Sequence, residues 1–453
     1  MILGNEIYLC RNGLNAQNFN RENDKYYHFI LLAKDAIGHE QIREISTRAW
    51  SHSYMARGMM RVPTYYQDLY DVIGKNPGHI IGSTACLGGA LPTQLLKYRS
   101  NRDENLYERI KIWCRQLKRL FGEGNFYLEM QPSKNDEQIY VNKKIIELSD
   151  ELEIPYIITN DSHYLKKEDI NIHHAFLNAQ GGDRETESFY ATTYLMNTEE
   201  IYNYMGQTLG LEVLQKAFNN ICEIRDKCED YSLMHPLRIP YLPKNPTEPN
   251  ESYYNDLVKY MPMMELFKNS EYDSDRHLLS VVLNKVKKDS QYQTDETYKE
   301  INTCLKSVWD SSEASHTRWS AYLMNVRDYI EIAWEDGDTL VGPSRGSGGG
   351  FILLNILGIT QINPLREKTK TFHWRFMNPE RVSPLDIDID IEGSKREKVY
   401  GGFQKHYGAD RVSKVLTLRT EKSKSAVLTA ARGLGIDVDI AQYLSSMITA
   451  DRG

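Results

Sequence analysis

The 453-residue sequence lacks several features that would place it in a specialised class of proteins. It has no apolar run long enough to span a bilayer and no signal peptide at its start, so we expect a cytoplasmic protein with no membrane partner. Its six cysteines are scattered and include no C-x-x-C pair, which argues against a disulfide scaffold. It contains no internal repeat and no low-complexity tract. A chain of this length should therefore form two or three globular domains.

The sequence is also short of positive charge, with a net charge of -7. This argues against a generally basic nucleic-acid coat but not against a local basic groove. Between Lys395 and Arg432 there are ten Lys or Arg residues and three acidic ones, a local excess of seven positive charges. Such clustering is typical of contact with a phosphate backbone, although a solvated helix face would have the same composition.

The most informative feature that is present is the stretch from Leu385 to Ile391, where three aspartates alternate with four aliphatic residues. Successive side chains of a strand point to opposite faces, so we predict a β-strand with Asp386, Asp388 and Asp390 on one face. Three like charges in line repel one another, and a divalent cation is the obvious group to offset that cost. Mg²⁺ is typically held by one or two carboxylates plus substrate phosphates. A solvated edge strand is the alternative interpretation.

A glycine-rich loop at Val341–Gly350 precedes the aspartates and runs into the apolar segment Phe351–Leu357. A loop that enters a helix exposes backbone N–H groups at the positive end of the helix dipole, where phosphates bind readily. Arg345 and the Ser347 hydroxyl can add a charge and a hydrogen bond. The loop matches neither the Walker motif nor the dinucleotide fingerprint, so it would be a different phosphate cradle, or else a flexible hinge. A phosphate cradle followed closely by carboxylates predicts a nucleotidyl-transfer site.

The first half of the chain alternates apolar strand segments with amphipathic helices, which predicts βα units and a parallel sheet, open or closed as a barrel. The predicted strands are Ile2–Leu9, Tyr27–Ala33, His79–Ser83, Phe126–Met130 and Tyr156–Thr159. Polar side chains in or beside these strands make a plausible metal constellation: Glu6, His28, Cys86, Asp161 and His163. A linker rich in Pro, Asn and Glu follows at 241–252, and a mainly helical stretch covers 253–335.

The sequence resembles the alpha subunit of bacterial DNA polymerase III, the C-family replicative polymerases. The resemblance rests on the loop at 341–364, on 376–383 leading into the aspartates, and on 417–435. The family's Pro-Asp-Phe-Asp-x-Asp pattern appears here as Pro-Leu-Asp-Ile-Asp-Ile-Asp, with Pro384 one residue further from Asp386 than usual. The resemblance implies that Asp388 and Asp390 are catalytic and hold two Mg²⁺ ions. It also implies that four residues contact nucleotide or DNA phosphates: Arg345, Gly346, Ser347 and Lys424.

The N-terminal half resembles the family's PHP domain, a metal-binding distorted βα barrel. The resemblance carries over five side chains as candidate ligands of Zn²⁺ or Mn²⁺: Glu6, His28, Cys86, Asp161 and His163. The implied fold class is a multidomain α/β and α+β protein, with an incomplete PHP-type barrel followed by a nucleotidyltransferase-like palm and part of a helical thumb. The implied domains are 1–240 (PHP), 241–418 (palm with a helical insertion) and 419–453 (start of the thumb).

The implied function is DNA-directed DNA synthesis on a primer–template, from deoxynucleoside triphosphates and with a sliding clamp. The family's His-x-His motif and its third palm aspartate are absent from this sequence, so we expect an incomplete polymerase that needs complementary polypeptides. Two alternatives stay open: an inactive DNA-binding or assembly fragment, and a PHP-type metal-dependent phosphoesterase.

Overall fold

The computed structural model describes residues 1–10, 25–56, 59–179, 190–368, 371–380, 385–415, 417 and 420–449. The chain divides into two compact units. Unit 1 comprises Met1–Leu233 and Arg419–Gly453, and unit 2 comprises Met234–Leu418. The division into PHP, palm and thumb domains at 240 and 418 stays a prediction. Within the described residues no helix is both long and apolar enough to cross a membrane.

A six-stranded mixed sheet forms the centre of unit 1, in the order β5-β1-β2-β6-β7-β8. Its strands are β1 (Gly4–Cys10), β2 (Tyr26–Ala33), β5 (Pro63–Thr64), β6 (Ile80–Ser83), β7 (Phe126–Met130) and β8 (Tyr156–Ile158), while β3 (Tyr54–Ala56) and β4 (Met59–Arg61) form a separate pair. All five predicted strands are present, with ends shifted by two residues at most.

The prediction that this sheet is parallel is wrong for one strand, because β2 runs antiparallel to both of its neighbours, β1 and β6. The β6–β7 and β7–β8 pairs are parallel, as βα units require. No helix of the described residues lies between β1 and β2, and strands that follow each other without a crossover helix pair antiparallel. The mixed α/β class is confirmed.

The helices of unit 1 connect or follow the strands of the sheet. They are α1 (Ala36–Ser51), α2 (Tyr66–Val72), α3 (Ala90–Asn101), α4 (Glu104–Phe121), α5 (Asp136–Leu152), α6 (Ile170–Asn178), α7 (Thr198–Leu209) and α8 (Leu211–Lys227). Helix α4 shows why they form: Asp103 caps its N-terminus and Gly122, at φ 85°, ends it. Its buried stripe packs Phe121 against Phe29, with ring centroids 5.8 Å apart.

Two C-terminal helices complete unit 1, α16 (Ser423–Gly433) and α17 (Val438–Met447). Helix α16 packs on α6 at a point where a glycine is required, because a Cβ on Gly433 would lie 1.8 Å from the Ala175 carbonyl oxygen.

Unit 2 is mainly helical, as predicted for 253–335. Its helices are α9 (Glu251–Leu257), α10 (Met264–Lys268), α11 (Asp273–Lys288), α12 (Asp295–Ser315), α13 (Trp319–Glu335), α14 (Ile352–Ile356) and α15 (Arg396–Tyr407). The apolar faces of α9 to α14 share one core, in which Phe267, Leu305 and Phe351 are fully buried. Helix α15 packs instead in a smaller cluster, through Val399. That core carries the segments that hold the candidate site.

Candidate active site

The aspartate stretch has the predicted alternation of faces but is not a regular strand among the described residues. Asp386, Asp388 and Asp390 are exposed, and the aliphatic residues between them are partly buried. Leu385, Ile387 and Ile389 pack against the helical core of unit 2. The prediction of a β-strand is corrected to an extended segment with a single antiparallel bridge, Val341 to Ile391. One-sided burial therefore sets the alternation without a hydrogen-bonded ladder.

The glycine-rich loop is tied directly to the aspartates. Gly342 N–H donates to the Asp390 carbonyl at 2.8 Å, next to the Val341–Ile391 bridge. A Cβ on Gly342 would lie 3.1 Å from the Asp390 Cβ, so a larger residue would push the two segments apart. At Gly346 the chain turns with φ 69°, a conformation that L side chains rarely adopt. Glycines thus permit both the close approach and the turn.

Arg345, between these two glycines, projects across the carboxylates. Its Nη1 lies 3.1 Å from Asp390 Oδ1, and its Nε lies 3.5 Å from Asp388 Oδ2. The hydrogen bond to Asp390 and the charges of Asp388 and Asp390 raise the pKa of Arg345 further above its ordinary value. The guanidinium therefore stays protonated in this position. The sequence gave no indication of this pairing, because Arg345 lies more than forty residues before Asp388 and Asp390.

The helix after the loop is shorter than the apolar run predicts. Residues Gly346–Gly350 form a 3₁₀ turn, and α14 extends only from Ile352 to Ile356 before Gly358 turns the chain at φ 75°. The dipole of so short a helix is a weak argument for phosphate binding. Backbone N–H groups of the tight glycine turn and the nearby side chains are the stronger one.

A cavity of about 330 Å³ adjoins the loop at Ser347 and the start of the aspartate stretch at Leu385. Its lining includes Ser347, Leu385, Trp374, Arg375 and Asn378. Trp374 stacks on Phe372 at 5.7 Å, and both rings are more than half exposed. Sequence reasoning missed Trp374 and Arg375. The available signal was that two aromatic residues and a basic one, Phe372, Trp374 and Arg375, lie within four consecutive positions shortly before the aspartates.

The carboxylates of the aspartate stretch fit a Mg²⁺ site. Their oxygens are hard ligands, they lie on one exposed side, and a protein cation already occupies the position between two of them. Asp388 and Asp390 as the metal ligands remain a prediction. The same holds for the grouping of Gly346, Ser347 and Arg345 as phosphate contacts.

The basic segment is partly neutralised. In unit 2, Lys395 and Lys398 both contact Asp338, at 3.0 and 3.1 Å, and Lys414 contacts Glu397 at 2.8 Å. Lys424 is exposed on α16 and belongs to unit 1, whereas Arg345 belongs to unit 2. Its grouping with the nucleotide contacts therefore stays a prediction.

In unit 1 three of the five predicted metal ligands are in contact. Glu6 lies diagonally across from His28 on the antiparallel β1–β2 pair. His28 Nδ1 lies 2.6 Å from Glu6 Oε1 and 3.4 Å from Cys86 Sγ. Hydrogen bonds with Cys86 and Glu6 raise the pKa of His28 to about 10. In this arrangement the ring nitrogen that faces Glu6 and Cys86 favours its proton, and a metal ligand would have to give that proton up.

The other two predicted ligands lie in the loop after β8. The His163 Nδ1–H donates to the Asp161 carbonyl at 2.7 Å, which leaves Nε2 with the lone pair. Among the described residues no group of three or more His, Cys, Asp or Glu is placed to hold a metal ion. As arranged, these side chains do not fit a Zn²⁺ or Mn²⁺ site, and their role as ligands stays a prediction.

Sequence reasoning missed a buried carboxyl beside these loops. Glu129 on β7 accepts hydrogen bonds from the hydroxyls of Ser83 and Thr159. Burial raises the pKa of Glu129 despite these hydrogen bonds. A lone glutamate within the apolar strand Phe126–Met130 was the available signal.

Two regions of the chain match known protein families, and the second of them includes residues of both units. Residues 1–133 match the family model for the PHP domain, and residues 276–453 match that for the bacterial DNA polymerase III alpha NTPase domain. The chain is 38% identical over its whole length to the probable DNA polymerase YorL of Bacillus subtilis and to the DNA-directed DNA polymerase of Bacillus phage SPbeta. It is 28% identical, over 99% of its length, to the DNA polymerase III subunit alpha of Borreliella burgdorferi.

The chain spans 36% of the length of the first two relatives and 35% of the third. All three relatives are named as DNA polymerases, and the family model for residues 276–453 is that of DNA polymerase III alpha. Over its whole length the chain is thus similar to DNA polymerase III alpha subunits, and it contains a region that matches a PHP domain and a region that matches an alpha NTPase domain, in the order that the sequence predicts.

Proposed function

We propose that this chain carries the palm of a DNA-directed DNA polymerase, which extends a primer 3′ end by two-metal nucleotidyl transfer. The observation that carries the proposal is the row of exposed aspartates held against the glycine loop by the Gly342–Asp390 hydrogen bond. Carboxylates and a phosphate cradle within one small region are what transfer of a nucleotidyl group requires.

Asp388 and Asp390 would hold two Mg²⁺ ions, which supply activation of the primer 3′-oxygen and charge stabilisation at the leaving pyrophosphate. Arg345 and the backbone at Gly346 would bind the triphosphate oxygens, and the Ser347 hydroxyl would donate to them. The adjoining cavity of about 330 Å³ is of a size to accept part of the incoming nucleotide. Lys424 would contact template or primer phosphates as a point charge.

The substrates of the proposed reaction are primer–template DNA and deoxynucleoside triphosphates. The chain would act with complementary polymerase polypeptides and a sliding clamp, as its similarity to a replicative polymerase alpha subunit suggests. The geometry around Glu6, His28 and Cys86 gives no support to a phosphoesterase, so we derive no reaction there.

The test is primer extension on gapped DNA with four nucleotides and Mg²⁺. It is run with the chain alone and with the polypeptides encoded beside it. We expect extension on complementation, and loss of extension in Asp388→Asn and Asp390→Asn. Asp386→Asn belongs to the same series, because it determines which two of the three carboxylates form the pair. Asp256→Asn, an exposed aspartate of unit 2 paired with Lys287, is the matched control.

Two outcomes would overturn the proposal. Synthesis that persists in both Asp388→Asn and Asp390→Asn would remove the two-metal assignment. DNA binding without extension in any combination of polypeptides would favour an inactive DNA-binding or assembly module.

A further inference from the structure

Arg345 occupies the position that a metal ion needs. Its guanidinium reaches Asp390 at 3.1 Å and Asp388 at 3.5 Å, and Asp386 adds to the attraction. Within the part of the chain that the structure describes, the salt bridges of Asp388 and Asp390 both go to this one side chain. A cation on these carboxylates and a divalent ion on the same oxygens cannot both have full occupancy.

We propose that Arg345 is an internal placeholder for the catalytic cations: it neutralises the aspartates in the metal-free protein, and metal binding must displace it. The inference rests on the proposed function and adds to it a competition between a residue of the chain and the metal. The guanidinium cannot leave by losing its proton, because Arg stays charged at all physiological pH values. It can leave only by rotation of its side chain.

The local structure makes that rotation easy. The Arg345 side chain is 57% exposed, and exposed ion pairs contribute little net stability because water and salt screen them. The backbone on either side is fixed, by the Gly342–Asp390 hydrogen bond and by the turn at Gly346. Displacement therefore moves the side chain and not the loop.

Displacement would also move the Arg345 guanidinium towards a new partner. Once a divalent ion neutralises the carboxylates, the guanidinium loses its partners while it remains beside the glycine turn. Phosphate oxygens that enter this turn would then be the nearest anions. Because binding free energies are reciprocal, phosphate that draws Arg345 away would strengthen metal binding to the same degree that metal strengthens phosphate binding.

The test measures Mn²⁺ binding to the full chain, without nucleotide, by the loss of the free-ion electron paramagnetic resonance signal. We expect Arg345→Ala to bind Mn²⁺ about threefold to tenfold more tightly than the unaltered protein, the gain expected from removing a screened ion pair that competes for the ligands. Arg345→Lys, which keeps a charge but not the two-pronged reach, should fall between them. High salt should reduce the difference.

Arg276→Ala is the matched control. It removes an arginine of the same unit that pairs with other carboxylates, Glu248 and Asp273. Its Mn²⁺ affinity should be unchanged. An equal gain in Mn²⁺ affinity in Arg276→Ala would show that the gain comes from net charge alone and would overturn the inference. Unchanged or weaker Mn²⁺ binding in both Arg345 variants would also overturn it.

Failure of the inference can be told apart from failure of the proposed function. If Asp388→Asn binds Mn²⁺ as tightly as the unaltered chain, the metal assignment itself is wrong, and the placeholder falls with it. If Asp388→Asn loses binding while the Arg345 variants gain none, the metal site stands and only the placeholder is rejected.

Discussion

Two groups of ionisable side chains in this protein each surround a cationic side chain, and they differ in whether that side chain can leave. In unit 2, Asp388 and Asp390 hold the exposed guanidinium of Arg345. In unit 1, Glu6 and Cys86 hold the half-buried imidazole of His28. Both groups belong to metal sites that the sequence predicts from residue type, spacing and family resemblance.

The difference lies in how the cation is attached. Arg345 has a long side chain on a loop and can rotate away without moving the backbone. His28 sits within the β1–β2 pair, its backbone N–H donates to Gly88, and its ring nitrogen contacts both the Glu6 carboxylate and the Cys86 sulfur. For His28 to bind a metal it must lose a proton that these two contacts stabilise. We therefore expect the cation at Asp388 and Asp390 to be exchangeable and the cation at Glu6 and Cys86 to be fixed.

The largest expected effect is on polymerase activity, which should depend on the aspartates of unit 2 and not on Glu6 of unit 1. In the complemented polymerase, Asp388→Asn should lower the rate of nucleotide addition by about two orders of magnitude or more, because the metals supply several kcal/mol of charge stabilisation. Glu6→Gln should leave the rate within a factor of two or so. Single-turnover incorporation measures both. An equal loss in Glu6→Gln would break the comparison.

A second prediction concerns a histidine of unit 2 that is kept neutral. His277 is buried, with Nδ1 2.8 Å from the Tyr241 hydroxyl, and burial followed by the charge of Arg327 lowers the pKa of His277 to about 4. Its folded pKa lies below the ordinary value of 6.5, so its stabilising effect is present above pH 6.5 and is lost as the pH falls towards 4.

Denaturant titrations of unit 2 stability against pH check this. His277→Gln should remove about 2 kcal/mol of the stability loss between pH 6.5 and 4. His235→Gln, at an exposed histidine, is the control and should retain the full pH dependence. Identical profiles for the unaltered chain and His277→Gln would contradict the assignment.

A third prediction concerns His28, whose pKa is shifted in the opposite direction. Because its pKa is raised to about 10, the charged ring stabilises the fold fully below pH 6.5, and this contribution is lost as the pH rises towards 10. The side chain is about a third exposed, so after allowance for solvent screening we expect about 1 kcal/mol.

Nuclear magnetic resonance of the imidazole gives the direct measurement. Cys86→Ala removes the largest cause of the shift and should lower the midpoint of His28 by about one pH unit or more. If His28 of the unaltered protein titrates near 6.5, the ring is free to act as a ligand and the contrast with Arg345 disappears.

The smallest effect is expected at the paired basic segment. Asp338→Asn removes the partner of Lys395 and Lys398 on an exposed surface, so the stability of unit 2 should not change measurably. The positive φ of Asp338, 49°, suits asparagine equally well. DNA affinity should rise or stay level, because two lysines are released. A weaker affinity would contradict the view that Asp338 masks them.

Much of this fold can be predicted from periodicity. The spacing of apolar residues predicts five of the six strands of the N-terminal sheet, the helical stretch after residue 253, and the helix with buried Leu106, Ile110, Leu117 and Leu120. Strand direction cannot be predicted in this way, because β2 has the same alternation whether its neighbours run parallel or antiparallel.

The residues of the candidate site could be predicted from the sequence, but the contacts between them could not. Alternation of Asp and Ile gives the exposed face, yet a regular strand also needs hydrogen-bonded neighbours, and only the bridge at Ile391 is formed in the described stretch. The contact of Arg345 with Asp390 depends on the Gly342–Asp390 hydrogen bond, a tertiary feature. The protonation of His28 depends likewise on Cys86, fifty-eight residues away in the sequence.

The most direct test of this account is an anomalous difference map from crystals of the protein soaked in Mn²⁺. We predict density within coordination distance of the Asp388 and Asp390 carboxylates, with the Arg345 guanidinium turned away from both, and none on His28. Density at Glu6, His28 and Cys86 with none at the aspartates, or Arg345 still bridging Asp388 and Asp390 in the Mn²⁺-soaked crystal, would contradict it.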